Sequence, residues 1–291
     1  MKRTVTLFAV FAAAASLATF AQTYNAEAGL LHVHAGAHAA PSTPVAEPQR
    51  QERQGAEFRW REVLAAGRTI EIRGINGNVS AEPAAGGEVE VVAVKRARRS
   101  DPDEVRVEVV RTNEGVLICA VYPNVGGEPN TCEPNNGRSQ VRDNDTTVNF
   151  TVRVPAGVKF HGRAVNGNVE AERLGADVDA KTVNGNVSVT TTGFARAQTV
   201  NGSITAVMGS ANWPDGLEFK TVNGSIDLSL PASLSARVEA KTLNGEITTD
   251  FPMTVTGTVS RRRLSGTIGS GGERQLTLET VNGSVQIRRA S

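Results

Sequence analysis

The stretch Leu217-Glu218-Phe219-Lys220-Thr221-Val222-Asn223-Gly224-Ser225-Ile226-Asp227-Leu228-Ser229-Leu230 reads as two short strands meeting at an Asn-Gly step. Leu217, Phe219 and Thr221 alternate with polar residues before the step, and Ile226, Leu228 and Leu230 alternate after it. Period-two alternation is what a strand with one buried face requires. The frame recurs at Asn76-Gly77, Asn166-Gly167, Asn184-Gly185, Asn201-Gly202, Asn244-Gly245 and Asn282-Gly283, with a degenerate copy at Leu264-Ser265-Gly266-Thr267-Ile268. From Asn166 onward the steps are 18, 17, 22, 21, 21 and 17 residues, counting the degenerate copy. A fixed period of this size marks a repeat architecture in which each unit buries its apolar face against its neighbours.

Two folds use such a unit. Asn-Gly between alternating runs is a strong hairpin signal, because both turn residues tolerate positive φ. An antiparallel hairpin meander is therefore one expectation. The other is a parallel β-solenoid (β-helix), in which equivalent residues stack on their own copies and the asparagines form a hydrogen-bonded ladder. A meander needs turn formers and alternation but not the same Thr-Val-Asn-Gly order in unit after unit, whereas stacking does. The expected fold is all-β, a right-handed parallel β-solenoid of 17–22-residue coils, right-handed because parallel crossovers nearly always are.

Residues 88–154 interrupt the period with longer alternating runs, and Glu114-Gly115 supplies a hairpin turn. This segment is expected to be an antiparallel cap over the N-terminal end of the stack, since an open end exposes unpaired backbone. The expected organisation is a signal peptide over 1–28, a disordered linker over 29–56, the first coil strand and cap over 57–164, and solenoid repeats over 165–291. The leader rests on Lys2 and Arg3, an uncharged apolar run from Val5 to Phe20, and cleavage after Ala21 or Ala28. The linker mixes Ala, Pro, Gln, Glu and Arg with few β-branched residues.

Export points to oxidation of Cys119 and Cys132, and a disulfide between them is expected. His32, His34 and His38 have the residue type for a metal site, but an Ala/Pro linker offers no fixed geometry, so no metal or cofactor is expected. The formal net charge of +1 argues against a general nucleic-acid binder. Arg261-Arg262-Arg263 reads as a solvated strand face. No later segment is apolar for long enough to span a membrane, so no transmembrane segment is expected in the mature chain.

The run Phe150-Thr-Val-Arg-Val-Pro-Ala-Gly-Val158, followed by repeated Thr-Val-Asn-Gly-(Asn/Ser)-(Val/Ile), resembles a bacterial "putative adhesin" family of unknown function. The resemblance covers about residues 65–291. It implies an exported β-helical domain of the cell envelope, related to autotransporter-adhesin heads and linked in some members to adhesion or envelope stress. Many members carry Asp or Ser after Asn-Gly, whereas Asn78, Asn168 and Asn186 stand there in the first three copies.

The functional expectation is non-catalytic, adhesin-like binding of a surface glycan or protein, in the periplasm or at the cell surface. An envelope-stress sensing module is the alternative. A polysaccharide-acting enzyme is disfavoured: Glu170, Asp227 and Glu246 follow different turns, and His161 has no evident partner in sequence. Trp213, in the loop Asn212-Trp213-Pro214-Asp215-Gly216, is the candidate binding residue, as a loop indole can stack on a sugar or anchor an interface; the alternative, which is favoured, is that it folds back over the coil edge. Thr182, Thr199, Thr221, Thr242 and Thr280 fall on the buried row or the corner by phase, which fits a structural role better than an outward ladder.

Overall fold

Alternation becomes strand at nearly every place the pattern marks it. The computed structural model describes residues 53–124, 127–134, 139–255 and 260–290. The expected leader, most of the linker and His32, His34 and His38 lie outside the described residues. In chain order the strands are β1 (Arg53–Gln54), β2 (Phe58–Val63), β3 (Thr69–Arg73), β4 (Val79–Pro83), β5 (Glu88–Ala97), β6 (Arg106–Arg111), β7 (Gly115–Val121) and β8 (Thr147–Val154). The repeats continue as β9 (Lys159–Arg163), β10 (Val169–Leu174), β11 (Val178–Lys181), β12 (Val187–Thr191), β13 (Ala195–Gln198), β14 (Ile204–Met208), β15 (Leu217–Lys220) and β16 (Ile226–Leu230). The last six are β17 (Ala236–Lys241), β18 (Ile247–Thr249), β19 (Met253–Val255), β20 (Arg263–Ile268), β21 (Gln275–Glu279) and β22 (Val285–Arg289).

These strands build two 11-stranded sheets. The strand before each Asn-Gly joins one sheet and the strand after it joins the other, so each repeat is one coil that crosses between sheets at the Asn-Gly corner. Pairing between successive coils is parallel, with like on like: Val187 lies opposite Ile204, and Ile204 opposite Ile226. The meander is thereby excluded and the all-β parallel solenoid stands. The inward residues fill the space between the sheets. Size is matched along each row, so that Gly162 leaves room for Phe160 and Val169, whose side chains an added Cβ would meet at 3.0 and 2.6 Å.

Stack order differs from chain order at both ends. In the second sheet the sequence runs β20-β17-β21-β15, and in the first β16-β22-β18. The coil of β21 and β22 is therefore inserted between the coil of β15 and β16 and that of β17 and β18. At the other end the chain lays down β3 and β4, leaves, and returns to add β7 and β8 on their outer side before β9 and β10 stack on the inner side. The segment 88–154 is thus only partly antiparallel. β5 pairs antiparallel with β8, and β6 with β7, whereas β7 and β8 form a further coil, parallel to β3 and β4, without an Asn-Gly corner. The turn at Thr112–Gly115 does join β6 to β7. Paired backbone begins at Arg53, inside the stretch read as linker, where β1 pairs with β5.

The degenerate copy is not a corner. Leu264 to Ile268 lie within β20, which pairs antiparallel with β17 and β19 and closes the C-terminal end of one sheet. With Ser265 where the corner asparagine would stand, it has no amide to extend the ladder.

Candidate functional site

The corner is a three-track hydrogen-bond device. In the first track each Asn amide donates to the Asn of the preceding coil: Asn166 Nδ2 to Asn76 Oδ1 at 2.9 Å, Asn184 to Asn166 at 2.8 Å and Asn201 to Asn184 at 2.8 Å. Asn223 donates to Asn201 at 2.7 Å, Asn282 to Asn223 at 2.7 Å and Asn244 to Asn282 at 2.8 Å. In the second, Thr182, Thr199, Thr221, Thr280 and Thr242 donate their hydroxyls to the Gly carbonyl of the neighbouring coil, at 2.7–2.9 Å. These threonines are buried, as their phase implied. In the third, Asn78, Asn168 and Asn186 accept from the backbone N–H of the next coil, Ser203 and Ser225 continue the track, and Asn149 of β8 starts it. The Asn-for-Ser departure seen in the sequence therefore preserves an acceptor at this place.

Glycine is required by closeness. A Cβ on Gly167, Gly185, Gly202, Gly224, Gly245 or Gly283 would sit 1.9–2.2 Å from the Gly carbonyl oxygen of the adjacent coil. The corner thus accounts for Asn76, Gly77, Asn166, Gly167, Asn184, Gly185, Asn201, Gly202, Asn223, Gly224, Asn244, Gly245, Asn282 and Gly283 as stacking residues.

Of the two readings of Trp213, burial supports the one in which it folds back and not the binding one. It is 2% exposed and packs into the main core, so the loop turns its indole inward and offers no ring to a ligand. Cys119 and Cys132 do form a disulfide. With Leu117 and Val121 they build a small second core on the outer side of β7, under the loop that follows. Arg73 fastens that loop by donating to the carbonyls of Glu133 and Pro134 at 2.7 and 2.6 Å.

Two outer faces remain. On the sheet containing β3, β9, β11 and β13, one row brings together Glu71, His161, Asp179 and Arg196. Burial works to raise the Glu71 carboxyl, but hydrogen bonds and charge from Arg73 and Arg163, at 2.7 and 2.8 Å, outweigh it and hold Glu71 below the usual carboxylate range. Burial pushes the His161 imidazole down, against the pull of Asp179 and Glu71. Two clefts of about 410 and 290 Å³ flank Glu114 beside this row. The charges on this face largely satisfy one another: Lys220 with Glu279 at 3.0 Å, Lys241 and Arg263 with Glu239 at 2.6 and 3.6 Å, and Gln198 with Glu218 at 2.8 Å. Among the described residues, no group of His, Cys, Asp and Glu is placed to hold a metal ion.

The other face also pairs charges, Arg153 with Glu82 and Glu90 at 3.0 Å and Arg288 with Asp227 at 2.8 Å, but leaves a row between them. Across β8, β4, β10, β12 and β14, Thr151, Ser80, Glu170, Ser188 and Thr205 fall in one lateral row, set by the parallel register. Adjacent members are one strand apart, roughly 4.8 Å. None of their side chains makes a hydrogen bond or ion pair within the described residues. Glu172 and Thr190 beside them are equally unpartnered. The sequence carried the signal for this row, because these are the polar members of the same alternation that marks the core. Only the register shows that they align.

Residues 158–288 match the Toastrack DUF4097 family, a domain of unknown function, and the resemblance read from the repeated motif holds over that span. Among solved structures, a "putative cell adhesion protein" from Clostridium sporogenes ATCC 15579 aligns at 10% identity over 81% of this chain and 100% of its own, with a TM-score of 0.44. A "putative adhesin" from Bacteroides fragilis NCTC 9343 aligns at 10% identity over 80% of this chain and 97% of its own, with a TM-score of 0.27. No curated protein matches the chain. No catalytic family is indicated. No helix among the described residues is long and apolar enough to cross a membrane.

Proposed function

We propose that the protein is an exported, non-catalytic module of the cell envelope that binds a surface glycan or protein through the face of β8, β4, β10, β12 and β14. The observation that supports this reading is the row Thr151-Ser80-Glu170-Ser188-Thr205, whose hydroxyls and carboxylate have no partner among the described residues. A flat ladder of donors and acceptors at strand spacing matches the repeated hydroxyls of an extended polysaccharide, and modest contacts add along it. A glycan is therefore favoured over a protein partner, which usually needs a buried aromatic or aliphatic anchor that this row lacks.

The test is binding of the purified protein to envelope polysaccharide fractions and a glycan array. The double substitution Ser188→Arg with Thr205→Arg puts two bulky cations on exposed strand positions and leaves the core untouched. It should abolish binding without lowering Tm by more than a few degrees. Arg196→Glu on the opposite face should leave binding intact. If the Arg196→Glu protein loses binding and the double variant keeps it, the face is wrongly assigned.

A further inference from the structure

The seven Asn-Gly corners that form the ladder are chemically alike in sequence but not in environment. Asn-Gly is the dipeptide most prone to self-conversion, because glycine leaves its own nitrogen open to attack the preceding side chain. The Gly N forms a bond to the Asn Cγ, the Cγ–Nδ2 bond breaks, and ammonia leaves with the proton the Gly nitrogen gave up. Water then opens the five-membered imide at either carbonyl, giving Asp or its backbone-shifted isomer.

In six corners the fold holds both reactants. Gly77, Gly167, Gly185, Gly202, Gly224 and Gly283 each donate their N–H to the Asn carbonyl of the adjacent coil, at 2.9–3.0 Å, so the nitrogen that must lose its proton is engaged. The same six asparagines have Oδ1 fixed by the next amide in the ladder, which prevents the side chain from rotating toward its own backbone. Asn244-Gly245 is different because it is the last rung of the ladder, where the outer neighbour is the backbone of Arg261 and Arg262, accepting from Ile247 and Thr242, and not another Asn-Gly corner. Its Nδ2 still donates to Asn282, but among the described residues its Oδ1 accepts from nothing and the Gly245 N–H has no acceptor. Asn244 is exposed, and Leu243 beside it is 58% exposed, so water reaches the site.

We infer that Asn244-Gly245 is a built-in deamidation site, the one ladder corner that ages, and that stacking protects the other six. Conversion replaces the Asn244 amide donor with a carboxylate facing the Asn282 oxygen. The ladder is cut at its last rung, and the coil carrying β18 is loosened. Asn136-Gly137 lies outside the described residues.

Peptide mapping by mass spectrometry, with fragmentation that separates Asp from its isomer, after incubation in mildly alkaline buffer at body temperature tests this directly. Asn244 should convert on the order of tenfold faster than any of the other six, as expected of the least protected end of a cooperative stack. The same chain held unfolded in denaturant should convert all seven at similar rates. Equal rates in the folded protein, a different leading corner, or a lead for Asn244 that persists in denaturant would each overturn the inference.

Discussion

At the scale of single residues the corner glycines carry the sharpest constraint. A methyl group on Gly202 would lie 1.9 Å from the Gly185 carbonyl oxygen, and that atom belongs to backbone held from both sides. Gly202→Ala is therefore expected to lower stability by about 3 kcal/mol, at the upper end of overpacking costs, in a denaturant titration. A hairpin turn would show a different pattern, since its glycine answers to a positive φ rather than to a neighbour. Trp213 makes a second test at this scale. Trp213→Ala should remove about 3–5 kcal/mol of stability, the usual cost of emptying a buried tryptophan site, with no change in glycan binding for the protein that remains folded. Unchanged Tm with lost binding would restore the indole to the surface. Trp213 shows why loop composition misleads: Pro and Gly around it signalled a loop correctly, but a loop's large apolar ring still seeks the core.

Among elements, the row through β3, β9 and β11 gives the fold an acid sensitivity in two stages. His161 titrates below its ordinary value of about 6.5 in the folded state, so between those values the unfolded chain holds the extra proton and folding loses ground as pH falls. Asp179, Glu71 and Glu114 oppose this shift, Arg163 reinforces it, and burial dominates. Glu71 is also held low, so its contribution is complete near neutrality and is lost further down, as pH drops below about 4.5 toward its folded value. Stability measured by denaturant between pH ~7 and ~5 should fall in the parent protein, and His161→Gln should flatten that interval while leaving the steeper loss below it. An unchanged slope would mean that His161 is not the group responsible. This cluster was half-visible in sequence. His161 stood out as a lone histidine, but its neighbours come from residues 71 and 179, and only the parallel register reveals them.

For the whole molecule, coil identity was legible and coil order was not. The Thr-Val-Asn-Gly repeats announce that like stacks on like, yet every copy is an equally good neighbour for every other. Nothing in Val281-Asn282-Gly283-Ser284-Val285 says that it fits between the coils of Asn223 and Asn244, because the ladder bonds are the same in any order. The caps escaped for the opposite reason. β20 keeps the alternation and the glycine of a repeat, while its antiparallel partners lie outside the repeat grammar. The stack order predicts the result of a truncation. A chain ending after Gly272 lacks β21 and β22, so β17 and β18 lose the parallel neighbours they have among the described residues and the antiparallel β17–β20–β19 cap has no stack to close. Limited proteolysis should then digest residues 236–268 while sparing the coils before them. Protection of 236–268 in the truncated chain would mean that the cap can dock directly on β15 and β16.

The same inserted coil sets how the protein answers to force. A coil at the end of a solenoid is held along one edge and can be peeled away rung by rung, each hydrogen bond breaking alone. The strands β21 and β22 are gripped along both edges by parallel partners. Tension applied beyond Arg289 meets two ladders at once and must shear them together, so that end of the chain is a mechanical clamp.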